Sequence, residues 1–158
     1  TKTWEEMKAV ELLPFEAGIA AGADVVMAAH ITTPNATEDG LPASLSYTIL
    51  TERLRGELGF TGVICTDGLG MKAITDHYSP AEAAIAALDA GADLLLLPAD
   101  LHEAFDGVVA AVESGRISEE RLDESVRRIL TLKEKADLSL RASTPADTLL
   151  DRLSRLWN

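Results

Sequence analysis

One short unit, used twice, constrains the fold more than any other feature of the chain. Ala21-Gly-Ala-Asp-Val-Val-Met27 and Ala90-Gly-Ala-Asp-Leu-Leu-Leu96 share a layout: a helix stops at glycine, Ala-Asp makes the turn, and an apolar run follows. Apolar runs without alternating polar residues predict strands buried on both faces, at residues 24–30 in the first copy and 93–97 in the second. Residues 62–66 form a similar run between them. Repeated helix-then-strand units argue for a parallel sheet wrapped by helices, as a (β/α) barrel or an open doubly wound sheet. No Gly-x-Gly-x-x-Gly opens a helix, which weakens the nucleotide-binding version of the open sheet. A complete eight-stranded barrel takes about 250 residues. The 158 residues here supply about three strands, so open sheet edges are expected, and such edges pair readily with another segment.

The helices between these strands carry their own start and stop signals. Thr3-Trp-Glu-Glu6 and Ser79-Pro-Ala-Glu82 are capping boxes, the second with proline at the first helical position. The first helix runs through Met7, Val10, Leu13, Phe15 and Ile19 to Gly22, with Pro14 as a kink or a break. Residues 31–45 hold Pro34, Asn35, Asp39, Gly40 and Pro42 and predict a loop. A second helix is expected over residues 46–58, with Tyr47, Leu50, Leu54 and Leu58 on one stripe and Gly59 as its stop. The helix from Ser79 ends at Gly91. Asp100-Leu-His-Glu103 opens another that ends at Gly115, and Ser118 caps a last long one through Leu122, Val126, Ile129 and Leu132. The tail, from residue 138 on, reads as a Ser/Thr/Pro patch and a short amphipathic helix ending in Leu153, Leu156 and Trp157.

Composition removes several classes of function. Acidic residues outnumber basic ones 26 to 14, and a net charge of −12 repels nucleic acid and anionic membranes. Aromatic residues, at 4%, are too few for a stacking surface for bases or sugars within this chain alone. The single cysteine, Cys65, can form no internal disulfide, and its place inside a strand predicts a buried, inert thiol. His30, His77 and His102 have no metal-ligand spacing, so neither a metal nor another cofactor is expected. No Gly-x-Ser-x-Gly elbow supports a serine hydrolase. The first residues do not read as a signal peptide and no apolar run is long enough to span a bilayer, which predicts a cytoplasmic protein. Asn35-Ala-Thr37 matches a glycosylation pattern and is read as plain loop sequence.

Parallel α/β folds gather their chemistry at the carboxyl ends of the strands. Three polar residues fall there: His30, Asp67 and Asp100. Asp67 is followed by Gly68 and Gly70, and Asp-Gly is also an ordinary turn pair. His30 is equally consistent with a buried histidine satisfied by backbone. Asp100 fits a helix cap better than a site residue, and His77 and His102, near helix starts, read as surface residues.

The runs Leu41-Pro-Ala-Ser-Leu-Ser46 and Leu54-Arg-Gly-Glu-Leu-Gly-Phe-Thr-Gly-Val-Ile-Cys-Thr-Asp-Gly-Leu-Gly-Met-Lys-Ala-Ile74 resemble glycoside hydrolase family 3. So do Val26-Met-Ala-Ala-His30 and Ala90-Gly-Ala-Asp-Leu-Leu-Leu-Leu-Pro98. The resemblance covers residues 1–137 and is to the bacterial β-N-acetylhexosaminidase branch. It implies the C-terminal portion, about three strands with helices, of a (β/α)8 TIM-type barrel, with residues 138–158 a separate tail. It makes Asp67 the catalytic nucleophile, and it places His30 and Met71 against the substrate. The glycines after Asp67 are expected to let the chain turn away from the sugar. Gly68 and Gly70 stand where the family often has bulkier residues, which implies a slightly looser pocket floor.

The chemistry implied is retaining hydrolysis through a covalent glycosyl-enzyme. In the resembled branch the acid/base is an Asp-His pair on a mobile loop after a Lys-His-Phe-Pro-Gly-His-Gly-type motif. That motif does not occur here, so a companion chain or segment is expected to supply the N-terminal barrel half. Three readings stand at this point. The chain is the nucleophile half of an enzyme releasing N-acetylglucosamine from a glycoside, peptidoglycan-derived fragments being the substrates the resemblance implies. Or it is a non-catalytic interaction fragment. Or it belongs to a β-glucosidase or β-xylosidase of the same family, with a phosphorolytic variant also open. His30 weighs toward the N-acetylglucosamine branch, since the glucosidase branch tends to have a Tyr-Asn pair there.

Overall fold

The computed structural model describes residues 2–136; the expected tail helix lies outside them. In chain order the elements are α1 (Trp4–Ala9), α2 (Leu13–Ala20), β1 (Val25–Ala28), a 3-10 turn (Ala43–Leu45), a π-helix (Thr48–Glu57), β2 (Val63–Thr66), α3 (Lys72–Thr75), α4 (Pro80–Ala90), α5 (Leu101–Glu113) and α6 (Glu119–Lys135). The result is a small α/β unit around a two-stranded parallel sheet, consistent with part of a barrel.

β1 and β2 pair in register from Val25 opposite Val63 to Ala28 opposite Thr66. The expected third strand needs correction. Residues 93–97 lie along the other side of β2 but share only one parallel bridge with it, Cys65 to Leu94. The ladder starts with the Leu94 N–H on the Ile64 carbonyl at 3.0 Å and the Thr66 N–H on the Leu94 carbonyl at 2.9 Å. It is then interrupted by a side chain: the Leu96 N–H donates to the Thr66 hydroxyl at 3.0 Å, where a backbone acceptor would continue the strand. Leu97 follows with a φ of +44°, outside strand geometry altogether.

β2 is therefore the central strand, and all four of its residues are buried. Among the described residues β1 is an edge, and the expectation that it is buried on both faces is also corrected. Val26 packs against the core and Ala28 belongs to it, while Val25 and Met27 stay 44% and 54% exposed. An apolar run predicts a covered face, and among the described residues that face of β1 stays uncovered.

The main core lies on one side of the sheet. Leu50 and Leu54 of the π-helix meet Ile64, Leu69, Ile74, and Ala83 and Ala87 of α4. Side chains as fully buried as Leu50, Ile64 and Ile74 each contribute about 1.5–3 kcal/mol. The helix expected over 46–58 forms in wider winding, with the Leu58 N–H on the Arg53 carbonyl five residues back, at 2.8 Å. In that winding residues four apart stay near one face and residues three apart leave it. Leu50, Leu54 and Leu58 keep to the stripe, and Tyr47 falls off it, 55% exposed.

Alanine dominates the buried face of α4, so α5 can approach closely. The approach is tight enough that a Cβ on Gly107 would sit 2.5 Å from that of Ala81. Both capping boxes form reciprocally, at Thr3/Glu6 and Ser79/Glu82. Pro14 breaks the first helix into α1 and α2 and sits in the first turn of the second. No helix among the described residues is long and apolar enough to cross a membrane.

Candidate active site

The pairing of β1 with β2 carries one residue past the strands: the Asp67 N–H donates to the Ala28 carbonyl at 2.9 Å. Asp67 thus leaves the sheet with its backbone fixed and its side chain partly exposed, directly after a fully buried Thr66. Its Oδ1 accepts the Gly68 N–H at 2.7 Å. Oδ2 makes no hydrogen bond to a described residue.

The turn that follows is held from both sides. On one side Leu69 and Gly70 donate their N–H groups to the carbonyls of Leu96 and Leu97, each at 2.8 Å. On the other side stands His30, two residues beyond β1. Its Nε2 lies 2.9 Å from the Gly68 carbonyl and its Nδ1 2.7 Å from the Ser44 hydroxyl. A carbonyl can only accept, so Nε2 carries the hydrogen, and in the neutral ring Nδ1 accepts from Ser44. Ser44 is fully buried in the 3-10 turn, with its N–H on the Ala29 carbonyl at 3.3 Å.

The intervening loop is tied down as well. Thr32 and Pro42 form an antiparallel bridge, and Asp39 accepts from the Ser46 hydroxyl and the Leu41 N–H. Burial alone would raise the Asp39 pKa, but these donors hold it below the ordinary value. Cys65 faces inward and its Sγ–H reaches the Thr66 carbonyl at 3.2 Å. Burial first, and the nearby Asp67 charge second, push its thiol pKa up, which makes it a poor nucleophile.

The expected turn chemistry is corrected in one respect. Neither Gly68 nor Gly70 uses a left-handed backbone, so the chain turns without the freedom that glycine offers. A Cβ on Gly68 would make only ordinary contacts with Met71 and Leu97, at 3.8–4.0 Å. Gly70 is needed for closeness instead, because its Cβ would stand 3.1 Å from the Leu97 carbonyl oxygen.

Of the strand-end residues, His30 and Asp67 share one turn. Met71 caps α3, is 49% exposed, and donates its N–H to the Gly68 carbonyl at 3.0 Å. Asp100 is exposed and accepts the Glu103 N–H at 3.0 Å, as an N-cap. His77 and His102 are exposed. Sequence reasoning gave no role to Ser44, Thr66 or Leu97. Ser44 stood inside the Leu41–Ser46 run, but its bond to His30 spans fourteen residues and leaves no local pattern.

Chemically, the arrangement presents a carboxylate on a pre-set turn at the end of a buried strand, with one oxygen engaged and the other unbonded among the described residues. A group so placed can act as a nucleophile or as a base.

Comparison with known proteins falls on the same residues. The family model for the glycosyl hydrolase family 3 N terminal domain matches residues 1–132. A β-hexosaminidase A of Pseudoalteromonas piscicida is 33% identical over 160 residues, covering 89% of this chain and 27% of its own length. The solved structure of a glycoside hydrolase family 3 β-N-acetylglucosaminidase from Paenibacillus sp. str. FPU-7 is 44% identical, with a TM-score of 0.85 over 91% of this chain and 28% of its own. A β-glucoside phosphorylase structure is 32% identical, with a TM-score of 0.83 over 90% of this chain and 27% of its own. The chain thus spans about a quarter of the length of these relatives.

Proposed function

The chain belongs to glycosyl hydrolase family 3, and on that premise we propose that it is the nucleophile-bearing part of a retaining glycosidase that removes terminal β-linked N-acetylglucosamine. In this reading β1, β2, the segment 93–97 and their helices are the C-terminal portion of a (β/α)8 barrel. A companion chain or segment completes the barrel and brings the acid/base group. The exposed edge of β1 and the quarter-length match to the relatives support that division.

The observation that carries the reading is Asp67 itself: a carboxylate at the end of a buried parallel strand, its Oδ1 fixed by the Gly68 N–H and its Oδ2 open. Oδ2 would attack the anomeric carbon as the glycosidic C–O bond breaks, and the departing oxygen would take a proton from the acid of the companion segment. The resulting ester would be hydrolysed by water that the same group, now a base, deprotonates. The substrate choice rests on the names of the relatives and on the sequence around His30.

Asp67→Asn in the assembled enzyme should lower turnover of a nitrophenyl N-acetylglucosaminide by orders of magnitude while the melting temperature holds. Near-parent rates would sink the assignment. The likeness to a β-glucoside phosphorylase keeps one second reading in play. A large preference for nitrophenyl glucoside, or acceleration by phosphate, would decide for it.

A further inference from the structure

We propose that His30 is a positioning residue for Asp67, acting through the Gly68 carbonyl, and that buried Ser44 selects the imidazole tautomer able to do so. As a statement about catalysis the inference rests on the reading of Asp67 as nucleophile. As a statement about the turn it stands on the hydrogen bonds alone.

Gly68 is the hinge between the two. Its N–H fixes Oδ1 of Asp67 at 2.7 Å, and its carbonyl receives Nε2–H of His30 at 2.9 Å. Gly68 is buried without being tightly packed, since an added Cβ would meet its nearest neighbour at 3.8 Å. With no Cβ to restrict it, the orientation of its carbonyl is set by hydrogen bonds. Without His30 that peptide plane keeps the Met71 N–H on its carbonyl, at 3.0 Å from within the same turn, and the Leu69 N–H on the Leu96 carbonyl, at 2.8 Å, with no tie to β1. His30 instead reaches across from the end of β1 and ties the turn to the neighbouring strand. The Gly68 N–H lies in the preceding peptide plane, across its Cα from the carbonyl, so His30 acts on Oδ1 by keeping the turn as a whole in register with the end of β1.

Ser44 completes the device. Its hydroxyl is fully buried and needs an acceptor, and Nδ1 is the group 2.7 Å away. Donation from Ser44 to Nδ1 leaves the ring hydrogen on Nε2, facing Gly68. Both ring nitrogens are therefore used inside the protein, which makes His30 a support of the carboxylate.

The test has two arms. In 15N-labelled 158-residue chain, the His30 imidazole should show a protonated Nε2 and an unprotonated Nδ1. Ser44→Ala should mix the tautomers, and His30→Ala should shift the Gly68 carbonyl 13C resonance. In the assembled enzyme, His30→Ala should lower kcat by about 10- to 100-fold, the scale of a small misplacement of a reacting group. KM should change less than about twofold, because uniform substrate binding is untouched. His30→Gln, whose amide N–H reaches toward the same carbonyl, should recover part of the loss. A ring protonated on Nδ1, or a Gly68 resonance indifferent to His30→Ala, overturns the proposal. So does a loss confined to KM, which would make His30 a substrate contact. If the NMR signatures hold but Asp67→Asn is fully active, the functional reading fails and the structural coupling survives.

Discussion

Glu57 collects three donors on one carboxylate: Lys8 Nζ at 2.6 Å, and Trp4 Nε1 and an Arg53 guanidinium N–H at 2.8 Å each. It is the residue that fastens α1 to the π-helix, and the Arg53 guanidinium also lies over the Trp4 ring. The Lys8 ammonium first, then Arg53 and the Trp4 N–H, pull the Glu57 pKa from 4.5 to about 2. A lowered folded-state value means stability that is complete above pH 4.5 and is lost as pH falls toward 2. The side chain is 31% exposed, so solvent screening keeps the effect small. Glu57→Gln should therefore melt slightly below the parent at neutral pH, with the gap closing as the solution is acidified from about pH 5 to about pH 2. A gap that stays constant over that range would show that the ion pairs contribute nothing.

At the scale of elements, the two copies of the repeated unit diverge at their glycines. Gly22 and Gly91 both end helices with positive φ, +87° and +111°, which any side chain strains to adopt. Gly22 has open space around it, whereas a Cβ at Gly91 would lie 2.4 Å from the Thr51 hydroxyl. That hydroxyl is not free to move away, since it donates to the Ala90 carbonyl at 2.8 Å and ties the π-helix to the end of α4. Gly22→Ala should cost about 1–2 kcal/mol of backbone strain. Gly91→Ala should cost that plus a packing term of about 1–3 kcal/mol. Urea unfolding of the two variants measures the difference, and equal costs would remove the packing term.

Across the whole molecule, the aspartates of the same repeat play opposite parts. Asp24 is half-exposed and pairs with Lys135 at the end of α6. Asp93 has a fully buried side chain and binds together elements far apart in the chain. Arg55 of the π-helix donates to it at 2.6 Å, the Ile64 N–H of β2 at 2.9 Å, and Ser125 and Arg128 of α6 at 2.6 and 3.0 Å. Arg121 stands 3.9 Å off and spends its guanidinium on the Leu88 and Ala92 carbonyls. Removing the one carboxylate takes a shared partner from the buried Ile64 N–H and Ser125 hydroxyl and from two half-buried arginines. Asp93→Ala should cost about 3–5 kcal/mol, and Asp24→Ala no more than about 1 kcal/mol. Comparable losses in equilibrium unfolding would mean that the buried network is not what attaches α6.

The sequence by itself determined what short-range physics encodes. Thr3, Ser79, Asp100 and Ser118 cap the helices they precede, Pro14 breaks the first helix, and apolar runs lie at β1, β2 and 93–97. It also placed Asp67 at a strand end, because strand, carboxylate and turn are consecutive. What the tertiary structure decided involves partners distant in the chain. Whether an apolar run is central or an edge depends on what lies beside it, which separates β2 from β1. Whether 93–97 becomes a full strand depends on the Thr66 hydroxyl, thirty residues away. Asp24 and Asp93 stand in the same local sequence, and only the arginines brought by the π-helix and α6 make one of them a buried anchor. His30 was visible as a polar residue after a strand. Its link to Asp67 was not, because Ser44 and Gly68 meet it only when two parallel strands lie side by side.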